Sequence, residues 1–533
     1  MNNPHPATLA RLMGLMCEAI ALRAAGQLPQ AVDALDQALA LDAGFIPAHM
    51  QRADLLAQAG RHADAVAACE ACLEIAPDFA DARIVHAQLL AQLAAQCESE
   101  LADGAAADSF PLQFTLAQAR YKSGQMRQAL VAVEAALASG AAGPLHFPAR
   151  ALRADILLRL NRHEEALASY GDVAGLDDEQ RALASHNRAD ILRQMGQVGP
   201  AQEGYGEALR QCPDLHQARV GRAHMLLMRG DFEEGWREHE ARHHIPELAA
   251  RRVRSAQPPW RRGDDLRGRH VLLWAEQGLG DTLQFARYIP LVAALAARVT
   301  VCVPPGLLSL LAQSFPGCDF VVNDKAPPLH DLYASLLSLP WLLALPEPGQ
   351  APSSPYLQAD DQAVADWRAR LDAMTASAPR RPRIGIAWAG RQYATIHYSR
   401  DIALEQLAPL FALPADFISL QPVVPAGDAD ARAALGERLH APPLQDWADT
   451  AALIQGLDLV ISVDTAVAHL AGALRRPCLL MLRYEGEWRW GLAPQHTAWY
   501  PGTRLYRQQR RGEWDAVVEQ VTAACLAPLS VAP

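Results

Sequence analysis

At roughly 150 residues per domain, a chain of 533 residues allows for three to four domains. Half of the residues are hydrophobic and 20% are charged, which is enough apolar surface for packed cores and excludes global disorder. The 48 basic and 59 acidic side chains leave a net charge of −11, the wrong sign for a general nucleic-acid binder. Only Lys122 and Lys325 are lysines, so the positive charge is almost all arginine. No run approaches the ~18 uncharged apolar residues of a membrane span. The richest, Leu336 to Leu345, is cut by Pro340, so no transmembrane segment is expected. The start, MNNPHPATLA, lacks a charged segment followed by an apolar one, so no secretory signal is expected either. Nine scattered cysteines fit reduced thiols better than a disulfide framework, and together these features predict a cytoplasmic location.

The first half repeats. LRAAGQLPQAVDALDQALALDAGF aligns with LLAQAGRHADAVAACEACLEIAPDF, and Gly26 and Gly60 lie 34 residues apart. Ala31 and Ala65, Leu35 and Cys69, and Ala38 and Cys72 keep that offset, and Pro77 closes the second unit. The pattern returns at Gly124/Ala129/Ala136, at Asn161/Ala166/Tyr170 and at Gly196/Ala201/Tyr205/Ala208, with Gly230 a further 34 residues on. About six units are recognisable, with a degraded stretch near residues 80 to 110. The pattern resembles the tetratricopeptide repeat. Glycine takes the turn, small alanines let two helices approach, and stacked hairpins bury what one hairpin cannot. The resemblance implies an all-α superhelix whose groove takes an extended peptide or partner helix, or else a spacer arm. Asn187 is present but no asparagine ladder accompanies it. Cys69 and Cys72 fall on core positions and read as buried structure rather than metal ligands. His239 and His243, spaced i, i+4 with His244 adjacent, lack an HExxH-type carboxylate and read as a solvated helix end.

The texture changes near residue 245. ARRVRSAQPPWRRGDDLRG reads as a connector. Short aliphatic runs then alternate with helical segments: HVLLWA, VTVCVP and DFVVND, then RIGIAWAG, DFISLQP, LDLVISVD and PCLLMLR, before a last helix, WDAVVEQVTAACL. That alternation predicts two parallel sheets with helices on both faces and ligands at the carboxyl ends of the strands.

Four segments carry candidate chemistry. In EQGLGDTLQFARYIP, Gln277, Gly278 and Gly280 shape a tight strand-to-helix turn, and Asp281 opens the helix as either a cap or a general base. The third glycine of GxGxxG is replaced by Leu283, which argues against a nicotinamide or flavin site. In LDLVISVDTAVAHLAGAL, a buried strand ends at Asp464 and Thr465. Thr465 is positioned to cap the following helix, whose N-terminus suits a diphosphate, with His469 one turn in. In RIGIAWAGRQYATIHYSRDIAL, a polar loop carries Arg391, His397 and Arg400, and Gln421 ends the next strand. An arginine in that loop could neutralise a phosphate bidentately. EWRWGLAPQHTAWYPGTRLYRQ is loop-rich and gathers Trp488, Arg489, Trp490, Trp499, Tyr500, Arg504 and Gln508, which either stack a base and fix a sugar or lock the C-terminal helix.

GDFEEGWREHEAR, EQGLGDTLQFARYIP and DLVISVDTAVAHLAGAL together make residues 230 to 528 resemble a heptosyltransferase-like glycosyltransferase with two Rossmann-like domains, the GT-B fold. Repeats running directly into such a domain are similar to a bacterial class with that order. The resemblance implies that Asp281 is the base on the acceptor hydroxyl and that Asp464, Thr465 and His469 bind the donor. Two departures stand out. Ala466 replaces the glycine after the threonine, and the second Rossmann-like domain has no lysine to hold donor phosphate, leaving Arg391 or Arg400 as the substitute. Asp428 and Asp430 form a DxD, but in a loop, and no metal site is expected there.

The expected organisation is therefore α followed by α/β: a repeat array at 1–245, a linker at 246–268, a Rossmann-like domain on the acceptor side at 269–380 and one on the nucleotide-sugar side at 381–533. The expected activity is transfer of a sugar from a nucleotide-sugar to a hydroxyl, with no metal and no cofactor beyond that donor. The repeats imply a protein or peptide acceptor, for instance a surface or flagellar protein glycosylated before export, with lipopolysaccharide core as the lipid-linked alternative. The competing expectation is a catalytically silent repeat scaffold that keeps the GT-B fold.

Overall fold

The computed structural model describes residues 6–103, 109–139, 144–171, 175–249, 253, 255–323, 326–375, 380–390 and 400–526. Two compact units share the chain, Met1–Leu176 and Asp177–Pro533.

The first unit is built of helical hairpins. Pro6–Ala24 pairs with Leu28–Leu41, Ile46–Gln58 with His62–Ile75, Phe110–Lys122 with Met126–Ala138, and His146–Arg159 with His163–Ala168. The degraded stretch is a single long helix, Ala80–Ala102. The turn residues take the conformation that the repeat demands: φ is 72° at Gly60 and 61° at Asn161. Asparagine tolerates that left-handed backbone better than most non-glycine residues. The small repeat positions are fully buried, as at Ala31, Ala65, Ala129 and Ala166. Cys69 and Cys72 are buried with them, and burial pushes the Cys69 thiol up to about 11 and raises that of Cys72. Such thiols stay protonated and pack as small apolar groups.

The second unit opens with two more hairpins, Asp178–Gln194 with Val198–Gln211 and His216–Arg229 with Phe232–His239. Two sheets follow, both wholly parallel. The first contains β1 (His270–Trp274), β2 (Arg298–Val303), β3 (Asp319–Val322) and β4 (Leu332–Ser335), in the order β3-β2-β1-β4. The second contains β5 (Arg383–Ala387), β6 (Asp416–Ser419), β7 (Leu439–His440), β8 (Leu459–Val463), β9 (Cys478–Leu482) and β10 (Thr503–Arg507), in the order β10-β9-β8-β5-β6-β7. Each order reverses direction beside its first strand, so crevices open at the carboxyl ends of β1 and β4 and of β5 and β8. Central strands are buried on both faces, as in β5, β8 and β9.

Three strands depart from the sequence expectation. β4 lies at the head of the leucine-rich run and merges with it. β7 has two residues. β10 lies in the stretch expected to be loop-rich, where Thr503–Arg507 pairs with β9. Among the described residues, no helix is long and apolar enough to cross a membrane.

Candidate functional site

The turn after β1 holds the first group. Gly278 caps the helix Leu279–Phe285, and Asp281 at its third position accepts the Gly278 N–H through Oδ2 at 2.9 Å. The other carboxylate oxygen, Oδ1, accepts from Arg489 Nη2. Both side chains are 14% exposed, so little water competes for the pair. Gln277 is half-buried on the same turn.

The turn after β8 holds the second group. Asp464 Oδ1 accepts from Trp490 Nε1 at 2.9 Å. Thr465 stands at the N-cap of the helix Ala466–Ala473, but its hydroxyl makes no capping bond and instead lies 3.1 Å from Ser462 Oγ. The expectation that Thr465 caps through its side chain therefore fails, because Ser462 draws the hydroxyl back toward the strand. His469 stacks on Trp490 with ring centroids 4.9 Å apart, and its Nδ1 lies 3.0 Å from Tyr500 Oη.

The two turns meet. A Cβ added to Gly280 would fall 2.8 Å from His469 Cδ2, so only a glycine lets the first turn come this close to the second helix. Arg489 bridges the same gap. It donates to Asp281 and to Glu487, and its guanidinium lies 4.2 Å from the centroid of the Trp488 ring. Arg287 reinforces the contact nearby. It is fully buried beside the rings of Tyr356, Trp499 and Tyr500 and donates to the Trp499 carbonyl at 3.1 Å.

Charge in this cluster is closely balanced. Burial works against the Arg489 cation, but Asp281, Glu487 and Asp464 outweigh it and hold its pKa raised. Burial pushes Glu487 up to about 7, with Asp464 and Asp281 adding to that and Arg489 opposing it. Burial, with Arg489 next, presses His469 down to about 3, so its ring is neutral at pH 7. Arg400 also acts on His469.

Arg400 and Gln421 form a third group at the end of β5. A Cβ on Gly390 would meet Arg400 Nε at 2.6 Å, and Gln421 Oε1 accepts from Ala389 N at 3.3 Å. Arg391 and His397 lie outside the described residues. Asp428 of the DxD is committed elsewhere: its two oxygens accept from Trp388 Nε1 at 2.8 Å and from Leu404 N at 3.0 Å.

Sequence reasoning missed a network behind the first turn. Glu276 sits just past β1, and Arg242 reaches it from the segment after the last hairpin. Arg242 Nε lies 3.0 and 3.1 Å from the two Glu276 oxygens, and Nη2 lies 3.0 Å from Oε2 and 2.7 Å from Ser338 Oγ. Ser335 Oγ adds a bond to Glu276 at 2.6 Å. Arg242 is 0% exposed and Glu276 6%. His239 is buried in the same network, which corrects its reading as part of a solvated helix end, whereas His243 is half-buried and His244 exposed. The quoted motifs GDFEEGWREHEAR and EQGLGD contained both partners, but nothing in either marked them as a pair. Glu487, Tyr500 and Arg507 also belong to the cluster, with Arg507 Nη2 donating to the Trp490 and Gly491 carbonyls at 3.0 and 2.8 Å.

These histidines, His239 and His469 buried and His224 half-buried, make acid stability testable. His224 and His469 are pressed from 6.5 to about 3, and His239 is lowered well below 6.5, each mainly by burial. The unfolded chain therefore binds more protons between pH 6.5 and 3, and stability is lost as pH falls through that window. Each histidine contributes up to about 1.4 kcal/mol per pH unit. Glu487 works in the opposite sense between pH 4.5 and about 7. Denaturant unfolding across this range should show His224→Phe with a shallower acid slope than the parent chain. An unchanged slope would remove the neutral His224 ring as a cause.

A helical-hairpin array continued by two doubly wound parallel α/β domains, with their carboxyl-end turns in contact, is the class that fold and site define. The chain carries tetratricopeptide repeats in its N-terminal region, with residues 18–78 and 114–180 matching the tetratricopeptide repeat model. Residues 442–499, which include Asp464, His469 and Trp490, match the model of glycosyltransferase family 9 (heptosyltransferase). Protein FlbA of Caulobacter vibrioides is 28% identical over 399 residues, which is 67% of this chain and 65%, just under two thirds, of that protein. Among solved structures, YrrB, described as a TPR protein with an unusual peptide-binding site, aligns at 13% identity over 40% of this chain and 94% of its own, with a TM-score of 0.24. A thermophilic TPR protein of Thermus thermophilus aligns at 20% identity over 40% of this chain and 99% of its own, with a TM-score of 0.20.

Proposed function

We propose that the chain moves a sugar from a nucleotide-sugar to a hydroxyl acceptor held by the repeats, a protein or peptide. The observation that carries this reading is the meeting of Asp281 and Gly280, past β1, with His469, past β8, and Arg489, past β9. Acceptor oxygen and donor sugar must come together at one point, and this is where the carboxyl-end turns of both sheets converge.

In this reading the donor diphosphate lies at the N-terminus of the helix Ala466–Ala473, which has no side-chain cap and whose Ala468 N–H turns back to the Thr465 carbonyl at 3.1 Å. Arg489 takes the place of the lysine that the second domain lacks. It swings from Asp281 onto the diphosphate and so frees the carboxylate. Asp281 then accepts the proton of the acceptor hydroxyl as its oxygen bonds to the anomeric carbon and the nucleoside diphosphate leaves. The rings of Trp488 and Trp490 flank the donor, and Arg400 and Gln421 add polar contacts from the end of β5. The donor is the only small molecule the step requires. The free cysteines and a nucleotide-sugar donor support a cytoplasmic location for the reaction.

A silent scaffold is the second reading, and one observation favours it: both oxygens of Asp281 are already engaged, one by Gly278 and one by Arg489. Thermal shifts of the full chain across nucleoside diphosphates and nucleotide-sugars separate the two. A ligand at 100 times its dissociation constant stabilises by about 2.7 kcal/mol. A shift with one nucleotide, lost in Arg489→Gln, is the expected result. No shift with any of them would leave the scaffold.

A further inference from the structure

The second sheet has a basic cavity at the end opposite the candidate donor site. About 360 Å³ in volume, it is lined by residues at the amino ends of β5, β8 and β9 and by the helix Asp361–Met374. Four arginines, Arg368, Arg380, Arg383 and Arg476, face two carboxylates, Asp372 and Asp458, for a formal charge of 4 − 2 = +2.

The carboxylates are already taken. Asp372 accepts from Arg383 Nη2 at 2.5 Å. Asp458 accepts from the Arg383 backbone N–H at 2.8 Å and lies 3.8 Å from Arg380. Arg383, at 4% exposure, completes its bonding on Thr375 Oγ1 at 3.0 Å. Arg368 and Arg476 remain. Neither makes a close ion pair among the described residues; burial lowers the Arg476 pKa, the Asp458 charge favours its cation at longer range and Arg368 opposes it. Arg476 donates to the Leu457 carbonyl, yet its Nε is buried with no hydrogen-bond partner. A buried guanidinium N–H without an acceptor is costly, and a structure that keeps one beside a second cation and an open cavity is arranged for an anion.

We propose that this cavity binds a small phosphate-bearing anion, with Arg368 and Arg476 as its principal contacts. The surplus of +2 matches the charge of about −1.5 to −2 on a phosphate monoester at pH 7, and the planar guanidinium fork suits phosphate oxygens. The polar lining argues against an apolar ligand, since sites for those are mostly hydrophobic. The cavity lies at the amino ends of strands whose carboxyl ends carry Asp464 and Gly390, so it is separate from the proposed donor site and does not depend on it.

Calorimetric titration of the full chain with inorganic phosphate and with pyrophosphate tests this. The expected result is saturable binding that weakens as salt rises, is reduced about tenfold or more in Arg368→Gln, and is unchanged in Arg489→Gln. Arg368 is exposed on its helix, so that substitution leaves the buried floor intact. Arg476→Lys is the second variant: it keeps the charge but loses the fork, and should also weaken binding. Absence of binding, binding indifferent to Arg368 and Arg476, or binding lost only in Arg489→Gln would each overturn the proposal.

Discussion

An Arg242→Ala chain is expected to lose about 3–5 kcal/mol of unfolding free energy in the Asp177–Pro533 unit. The guanidinium is fully buried and meets Glu276, Glu240, Ser338 and the His239 carbonyl. Removing it leaves the Glu276 carboxylate buried, with the Ser335 hydroxyl as its remaining donor among the described residues. Desolvating an unpaired charge is what makes a broken buried pair far more costly than a lost surface one. Replacing both partners together, Arg242→Met with Glu276→Leu, should recover part of the loss, because no fully buried charge is then stranded and the remaining partner, Glu240, is partly exposed. Urea unfolding followed by tryptophan fluorescence reads both. A loss below about 1 kcal/mol in the single variant would place the pair among ordinary surface bridges.

The same geometry decides how the α/β half can be studied. Trp236 of the last hairpin is 1% exposed, donates to the Pro346 carbonyl at 3.0 Å and meets Trp488 and Phe285 edge-on. A fragment cut at residue 246 or 269 would lose Arg242 and Trp236 together. Binding experiments therefore belong on the full chain, since a fragment that fails to bind nucleotide would report the missing hairpin rather than a silent site.

Asp281→Asn is expected to lower turnover by about 10²–10⁴-fold while leaving donor binding intact. An amide oxygen still accepts the Gly278 N–H, so the turn holds, and Arg489 keeps Glu487 as a partner. What disappears is the carboxylate proposed to take the acceptor proton. Transfer rate and nucleotide thermal shift, measured side by side, separate the two roles. A fall in kcat with an unchanged shift matches a base. Full turnover in the variant would reduce Asp281 to a helix cap and a partner for Arg489.

Much of the architecture was legible because it is periodic. A residue with positive φ at Gly26, Gly60, Gly124, Asn161, Gly196 and Gly230, 34 to 37 positions apart except across the single long helix Ala80–Ala102, sets the hairpins without reference to the rest of the chain. Long buried strands such as β5, β8 and β9 show as continuous aliphatic runs. β4 did not, because Leu332–Ser335 flows into further leucines, and β10 did not, because its inward residues alternate with arginines. Asp464 and His469 were readable from one strand-to-helix turn, since their spacing is local.

By itself the sequence determined the repeat, the alternation of strand and helix, and the glycine turns at the strand ends, all of which depend on residues near one another in the chain. Only the tertiary structure decided which charges face which. Arg489 and Asp281 are 208 residues apart, Arg242 and Glu276 are 34, and Trp490 and Asp464 are 26. No periodicity links such partners. They are brought together by burial of the apolar faces around them, and the low dielectric there makes each pairing matter, so both the ion pair that holds the candidate base and the network beneath it are properties of the fold.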